Sequence, residues 1–133
     1  MTTSRRTSLI SWAMVVCWMG VIFYLSNQPS FPQMPDPWLR LRKLAHVAEY
    51  LILTLLLCRA LMPSARATRS PCLIATIISL SYAASDEYHQ SFVLARTASA
   101  LDVGIDTIGI ITGVALFIAW RNRRQKPPKA ALY

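Results

Sequence analysis

The stretch LISWAMVVCWMGVIFYL, residues Leu9 to Leu25, is apolar apart from one serine, and no charged residue occurs from Thr7 to Pro35. About 20 apolar residues in a helix cross the hydrocarbon core of a bilayer, and this stretch reaches that length with its flanks. Arg5 and Arg6 before it are typical of a signal peptide, but no small-x-small cleavage site follows. The stretch therefore predicts an uncleaved membrane anchor.

The rest of the chain is also unusually apolar. Of its 133 residues 54% are hydrophobic and only 15% are charged, too apolar for an ordinary soluble domain of this size. Later apolar runs such as Pro71 to Ser85 are too short to span alone, so the polar residues beside them must continue the helices. We predict an all-α fold, an integral membrane four-helix bundle forming a single domain over residues 1–133, with spans at about 8–26, 41–62, 71–91 and 100–120.

The charge distribution sets the expected orientation. A net charge of +8 would suggest nucleic-acid binding in a soluble protein, but five of the basic residues directly follow the last apolar segment, as in a cytoplasmic flank. With both termini in the cytoplasm, the basic residues inside are Arg5, Arg6, Arg59, Arg66, Arg69, Arg121, Arg123, Arg124, Lys126 and Lys129, and those outside are Arg40, Arg42, Lys43 and Arg96. We expect a multi-pass protein of the bacterial cell membrane, with both termini cytoplasmic, the lipid bilayer as partner and no nucleic acid.

The three cysteines do not predict a bound metal. Cys17, Cys58 and Cys72 lie in or beside apolar segments and lack both metal-ligand spacing and a disulfide pattern. We interpret them as small buried hydrophobic residues. The sequence identifies no cofactor.

The stretch SYAASDEYHQSFVLARTASALDVGID, Ser81 to Asp106, concentrates acids between two apolar runs. In the predicted topology its polar residues meet the start of the second span in the outer half of the bilayer. Each helix carries them at steps of three or four, on one face. Ionisable groups facing lipid cost about 2.5 to 3.5 kcal/mol each, so the faces should line a shared cavity open to the exterior. The residues are Lys43, His46, Glu49, Tyr50, Asp86, Glu87, His89, Gln90, Asp102 and Asp106, with Arg96 in the connection.

Simpler interpretations apply to several of these residues. Lys43 could extend its ammonium group to the membrane surface, and Arg96 could be an ordinary charge of an outer loop. A histidine such as His46 is usually structural when it stands alone, but Glu49 and Tyr50 share its face. Gly109-x-x-x-Gly113 on the fourth span is more typical of a helix-packing surface than of a substrate site.

Three motifs resemble the VanZ-like family of small bacterial membrane proteins. They are SNQPS at Ser26 to Ser30, KLAHVAEYLIL at Lys43 to Leu53, and DEYHQSFVLARTASALDVGIDTIG at Asp86 to Gly109. The named member of that family is associated with resistance to the glycopeptide antibiotic teicoplanin, so the resemblance implies an envelope role. The positions shared with the family pattern are Lys43, His46, Tyr50, Asp86, Glu87, His89, Gln90, Arg96, Ser99 and Asp102.

This chain departs from the family pattern at two places. Members often have Pro-Gly before the arginine, where this chain has Leu94 and Ala95, and often Asn where it has Asp106. Without those turn residues, the outer connection between the third and fourth spans could be a tight loop or a short helix.

Three functions fit these residues. In the first, the outward cavity binds or handles a polar or lipid-linked envelope component, with an envelope lipid or glycan as its ligand. In the second, the chain is an enzyme, in which His46, His89 and the carboxylates bind a metal or act as acid and base on a lipid headgroup or lipid-linked precursor. In the third, the polar residues form a purely structural network. The sequence leaves open whether the chain is an enzyme.

Overall fold

A computed structural model of the chain describes residues 3–29, 36–62, 70–94, 96 and 99–125. These residues form four α-helices and no strand. The helices are α1 (Thr3–Ser26), α2 (Asp36–Leu61), α3 (Ser70–Gln90) and α4 (Ala100–Gln125). The all-α prediction is confirmed, and the four segments lie where the apolar runs place them.

Several helices extend beyond the predicted spans. Helix α2 begins at Asp36 instead of about residue 41, and Pro37 is tolerated in its first turn because an N–H there would have no intrahelical partner. Helix α4 continues through its basic end to Gln125 instead of ending near Trp120. Hydropathy marks the part of a helix that suits hydrocarbon, whereas backbone hydrogen bonding continues into the polar flanks.

The connection after α3 starts as a series of tight turns. The amides of Phe92 and Val93 donate to the carbonyl oxygens of His89 and Gln90, three residues back. The amide of Arg96 donates to Val93 in the same way. Of the two conformations considered for this connection, the described part is therefore a tight loop.

Neighbouring helices along the chain run in opposite directions. Tyr82 on α3 donates its hydroxyl to the carbonyl oxygen of Met19 on α1, and Trp18 donates its indole N–H to the carbonyl oxygen of Glu49 on α2. Helix α2 packs against the other three helices, most extensively against α4. As a result, α1 and α3 end at the same side of the molecule where α2 and α4 begin, and we call this side the polar end.

Two glycines allow the close approach of α4 to α2. A methyl group built on Gly109 would overlap the carbonyl oxygen of Val47, and one built on Gly113 would lie 2.9 Å from the carbonyl oxygen of Leu51. The absence of a side chain lets the two backbones touch. This contact agrees with the packing interpretation of the Gly-x-x-x-Gly pair.

Three of the helices in the described part are long and apolar enough to cross a membrane, over Thr7–Ser26, Arg40–Leu61 and Ala100–Gln125. Helix α3 has a shorter apolar part, since Asp86 and Glu87 lie near its end. The outward-facing side chains are largely apolar, including Leu9, Val16, Phe23, Leu73, Ile77, Ile108 and Ile111. A protein with apolar residues both inside and on its flanks is suited to contact with membrane lipid.

Candidate functional site

The polar end contains a buried group of polar side chains that all four helices contribute to. We call it the polar cluster: Ser26, His46, Glu49, Tyr50, Asp86, Glu87, Gln90 and Asp106, each at most 8% exposed. A buried ionisable side chain is costly unless it is paired, so such a concentration requires a structural or functional reason. All of its members except Ser26 were predicted from the sequence as site residues.

Asp86 accepts hydrogen bonds from two helices. One oxygen, Oδ2, accepts from the Ser26 hydroxyl at 2.7 Å and from the Gln90 side-chain amide at 2.9 Å. The same Gln90 amide also lies 3.2 Å from the Ser26 hydroxyl oxygen. This triangle links the end of α1 to the end of α3, while the second oxygen of Asp86 is buried without a hydrogen bond.

His46 and Asp106 form a histidine–carboxylate pair between α2 and α4. His46 Nδ1 lies 3.3 Å from Asp106 Oδ1, within ion-pair distance, and the Asp106 side chain is 1% exposed. Both atoms are buried, and neither makes a hydrogen bond. A carboxylate beside one ring nitrogen favours the tautomer that carries its proton there, which leaves the other nitrogen as an acceptor or base.

Tyr50 lies at the centre of the cluster. It is completely buried and interacts electrostatically with Asp86, Asp106 and Glu49, yet its hydroxyl has no hydrogen-bond partner. Most buried hydroxyls in proteins are hydrogen-bonded to protein or to water. Unsatisfied hydrogen-bonding groups on Tyr50 and Asp86 are typical of sites that hold water or a polar ligand.

Glu87 connects α3 to the start of α4. Its Oε1 accepts the backbone N–H of Ser99 at 2.6 Å, and the Ser99 hydroxyl accepts the amide of Leu101 at 3.2 Å. The first backbone N–H groups of a helix have no partner within the helix, and a serine hydroxyl that accepts one of them satisfies that donor. Ser99 is therefore placed as a helix cap that Glu87 holds in position.

Arg96 extends back from the connection after α3 towards the end of α1. Its Nε donates to the carbonyl oxygen of Gln28 at 3.0 Å and one terminal nitrogen donates to Leu25 at 3.2 Å. Partial burial and the nearby Arg42 lower the pKa of Arg96 below its usual value, against the opposing effect of nearby carboxylates. Its other terminal nitrogen is buried and has no partner.

A cavity of about 240 Å³ adjoins the polar cluster. We call it the polar-end cavity; it is lined by Leu25, Ser26, Gln28, Arg42, Ala45, His46, Glu49 and Arg96. Residues with carboxylate, guanidinium, imidazole and hydroxyl groups thus line one space large enough for several water molecules or a small headgroup, although most of its wall is apolar. The cavity can offer both donors and acceptors to a polar ligand.

Five predicted site residues lie outside the polar cluster, and besides Arg96 and Ser99 they are Lys43, Asp102 and His89. Lys43 is exposed on α2, and Asp102 is half-buried in the first turn of α4. His89 is also half-buried, with its Nε2 3.3 Å from Asn27 Oδ1 and its ring packed against Phe23. The structure places His89 beside the end of α1, away from His46 and Asp106.

Ser26 and Arg42 are among the residues of the site that were not predicted from the sequence. Ser26 ends a long apolar run, and only its position in the SNQPS motif indicates a role. Arg42 lines the cavity, whereas the sequence analysis selected its neighbour Lys43. Adjacent helical residues differ by about 100° in direction, and periodicity alone does not show which of two neighbouring cations faces inward.

The histidine and carboxylate side chains among the described residues are of the kinds that bind metal ions. Within residues 3–29, 36–62, 70–94, 96 and 99–125, no three His, Cys, Asp or Glu side chains come together in an arrangement that could hold a metal ion. His46 has one carboxylate at ion-pair distance, and His89 lies near an amide. The nearest partners of these two histidines therefore do not form a set of metal ligands.

The architecture and the polar cluster define a small α-helical membrane protein with an ionisable site between its helices. The family model of VanZ/LLP1 matches residues 11–121, and the chain belongs to the VanZ/LLP1 family. The match includes α2 and α3 in full, most of α1 and α4, and every residue of the polar cluster. No curated protein and no solved structure matches the chain.

Proposed function

We propose that this chain is a four-span protein of the bacterial cell membrane, with both termini in the cytoplasm, whose polar-end cavity opens to the outer side and binds a polar cell-envelope component. An envelope lipid headgroup or a glycan fits this description. The observation that carries the proposal is the cavity itself, in which Arg42 and Arg96 face Glu49 and His46 next to unsatisfied groups of the cluster. The excess of basic residues at the opposite end supports the orientation.

Charge supports a polar ligand in this cavity. The cluster contains four acidic side chains, Glu49, Asp86, Glu87 and Asp106, while Arg42 and Arg96 are the two arginines that line the cavity. Bare like charges repel strongly where water is scarce. Protons, or a ligand with its own donors and cationic groups, would balance the acids, whereas the arginines suit anionic or hydroxyl oxygens.

The link to teicoplanin rests on the family resemblance and is tested by filling the cavity. Expression in a susceptible Gram-positive host is expected to raise the inhibitory concentration of teicoplanin more than that of vancomycin. Ala45 lines the cavity, so Ala45→Trp should return teicoplanin sensitivity to the level of the empty vector. Ala48 is exposed on the same helix and does not line the cavity, so Ala48→Trp is the matched control and should retain resistance.

Unchanged sensitivity to both antibiotics would remove the resistance role from the proposal. An equal loss in the Ala45→Trp and Ala48→Trp variants, with both proteins present in the membrane at wild-type amounts, would show that the cavity is not the working site.

A second candidate, an acid–base enzyme acting on a lipid headgroup or lipid-linked precursor, is favoured by the His46–Asp106 pair. Hydrolases with a histidine–aspartate pair lose about 10⁴-fold in rate when the aspartate becomes asparagine, because the histidine tautomer is no longer fixed. Under the binding function, Asp106→Asn should be tolerated, since an amide has the same shape and keeps one acceptor oxygen. We expect Asp106→Asn to retain resistance in the teicoplanin assay, and a near-complete loss with normal membrane insertion would favour the enzyme instead.

A further inference from the structure

The opposite end of the molecule has an apolar groove between α2 and α4. It has a volume of about 420 Å³ and is lined by Leu55 and Arg59 of α2 and by Leu116, Phe117 and Trp120 of α4. Leu55 precedes Arg59 by four residues, and Leu116 precedes Trp120 by four. The leucines therefore lie one helical turn deeper than the arginine and the tryptophan. We call this feature the basic-end groove.

The groove lies within the segments that are apolar enough to cross a membrane. Its walls are almost wholly apolar, so Arg59 contributes its aliphatic stem to them. Arg59 lies in the last turn of α2, and the Trp120 ring carries the Arg124 guanidinium 5.1 Å from its centroid. Tryptophan and arginine together are typical of the depth at which lipid headgroups lie.

We propose that the basic-end groove is a binding site for an anionic phospholipid, with an acyl chain along Leu55, Leu116 and Phe117 and the phosphate group near Arg59 and Arg124. Charge complementarity selects this occupant. The apolar wall of the groove suits a hydrocarbon chain. A cationic side chain at the headgroup end of the groove attracts a headgroup with a net negative charge more than a zwitterionic headgroup. The volume is in the range of pockets that hold small ligands.

This site is separate from the polar-end cavity and does not depend on the function proposed there. The polar-end cavity is lined from residues 42–49 of α2, from the end of α1 with Gln28, and from Arg96, whereas the basic-end groove is lined from the second halves of α2 and α4. A retained anionic lipid would hold the second halves of α2 and α4 together.

The test is a competition between phosphatidylglycerol and phosphatidylcholine with identical acyl chains, presented to the full chain in mixed micelles and counted by native mass spectrometry. The wild-type protein should retain phosphatidylglycerol preferentially. Arg59→Gln should lower that preference about fivefold, the effect of one cation near an anionic headgroup. Arg123→Gln removes an exposed cation of the same end that does not line the groove, and should leave the preference unchanged.

A second variant tests the apolar part of the site. Leu116 is 51% exposed, so Leu116→Trp can fill the groove without disturbing the core, and it should reduce retention of both lipids while Arg59 is still present. The proposal is overturned by a wild-type protein without preference, by a preference that Arg59→Gln leaves unchanged, by an equal loss in Arg123→Gln, or by unchanged lipid retention in Leu116→Trp.

Discussion

Gly109→Ala is expected to destabilise the folded protein by about 3 kcal/mol or more, at or above the upper end of the usual cost of overpacking. The added methyl group would overlap the carbonyl oxygen of Val47 and lie 3.1 Å from the backbone nitrogen of Leu51. Both atoms belong to the backbone of α2, which cannot rotate away as a flexible side chain could. The two helices would have to move apart, and this would also separate His46 from Asp106.

Gly104→Ala is the matched control for this change. Gly104 lies on the same helix, is exposed, and has no atom within 4 Å of the position that a methyl group would take. Alanine is favoured over glycine within helices by about 1 kcal/mol, so this variant should be as stable as the wild type or slightly more stable. Unfolding of the purified proteins, followed by circular dichroism during titration of a denaturing detergent, measures the difference. Equal stability of the Gly109→Ala and Gly104→Ala variants would contradict the close contact of α2 and α4.

Much of the helical architecture could be predicted from the sequence because membrane segments follow simple physics. An apolar run of bilayer length has few alternatives to a helix, since backbone groups in lipid must bond within their own segment. The helix ends were less predictable. Asp36 and Gln125 lie in polar flanks where hydropathy carries no signal but helical hydrogen bonding continues.

The polar cluster was partly predictable for a similar reason. The spacing of His46 and Tyr50 placed them on one face of α2, and the cost of ionisable groups in lipid directed that face inward. The pairing of His46 with Asp106 was not predictable, because it depends on α2 and α4 being neighbours although α3 lies between them along the chain. Helix periodicity determines the face of each helix but not the order in which helices pack.

Charge alone did not predict correctly whether Ser26 and Lys43 belong to the polar cluster. Ser26 is uncharged and ends an apolar run, yet it donates the shortest hydrogen bond to Asp86. Lys43 carries a charge on the predicted stripe but is exposed, one turn before the first buried member of the cluster in α2. Burial at a helix end depends on how far its neighbours extend, which is a property of the assembled helices.

Labelling of introduced cysteines from outside the cell should give an all-or-none difference between the polar end and the opposite end. Ala45 lines the cavity and is exposed, and Asn122 is exposed near the end of α4 on the opposite side. In the proposed orientation, a cysteine at position 45 faces the cell exterior and one at position 122 faces the cytoplasm. The prediction of burial from the sequence is wrong for Cys17, which is exposed, so the wild-type chain provides the background for labelling.

The most direct test is therefore to label Ala45→Cys and Asn122→Cys in intact cells with a membrane-impermeant maleimide. The account predicts that Ala45→Cys reacts in intact cells above the wild-type background, whereas Asn122→Cys reacts only after the membrane is permeabilised. Labelling of Asn122→Cys in intact cells, with Ala45→Cys protected until permeabilisation, would contradict an outward-facing cavity.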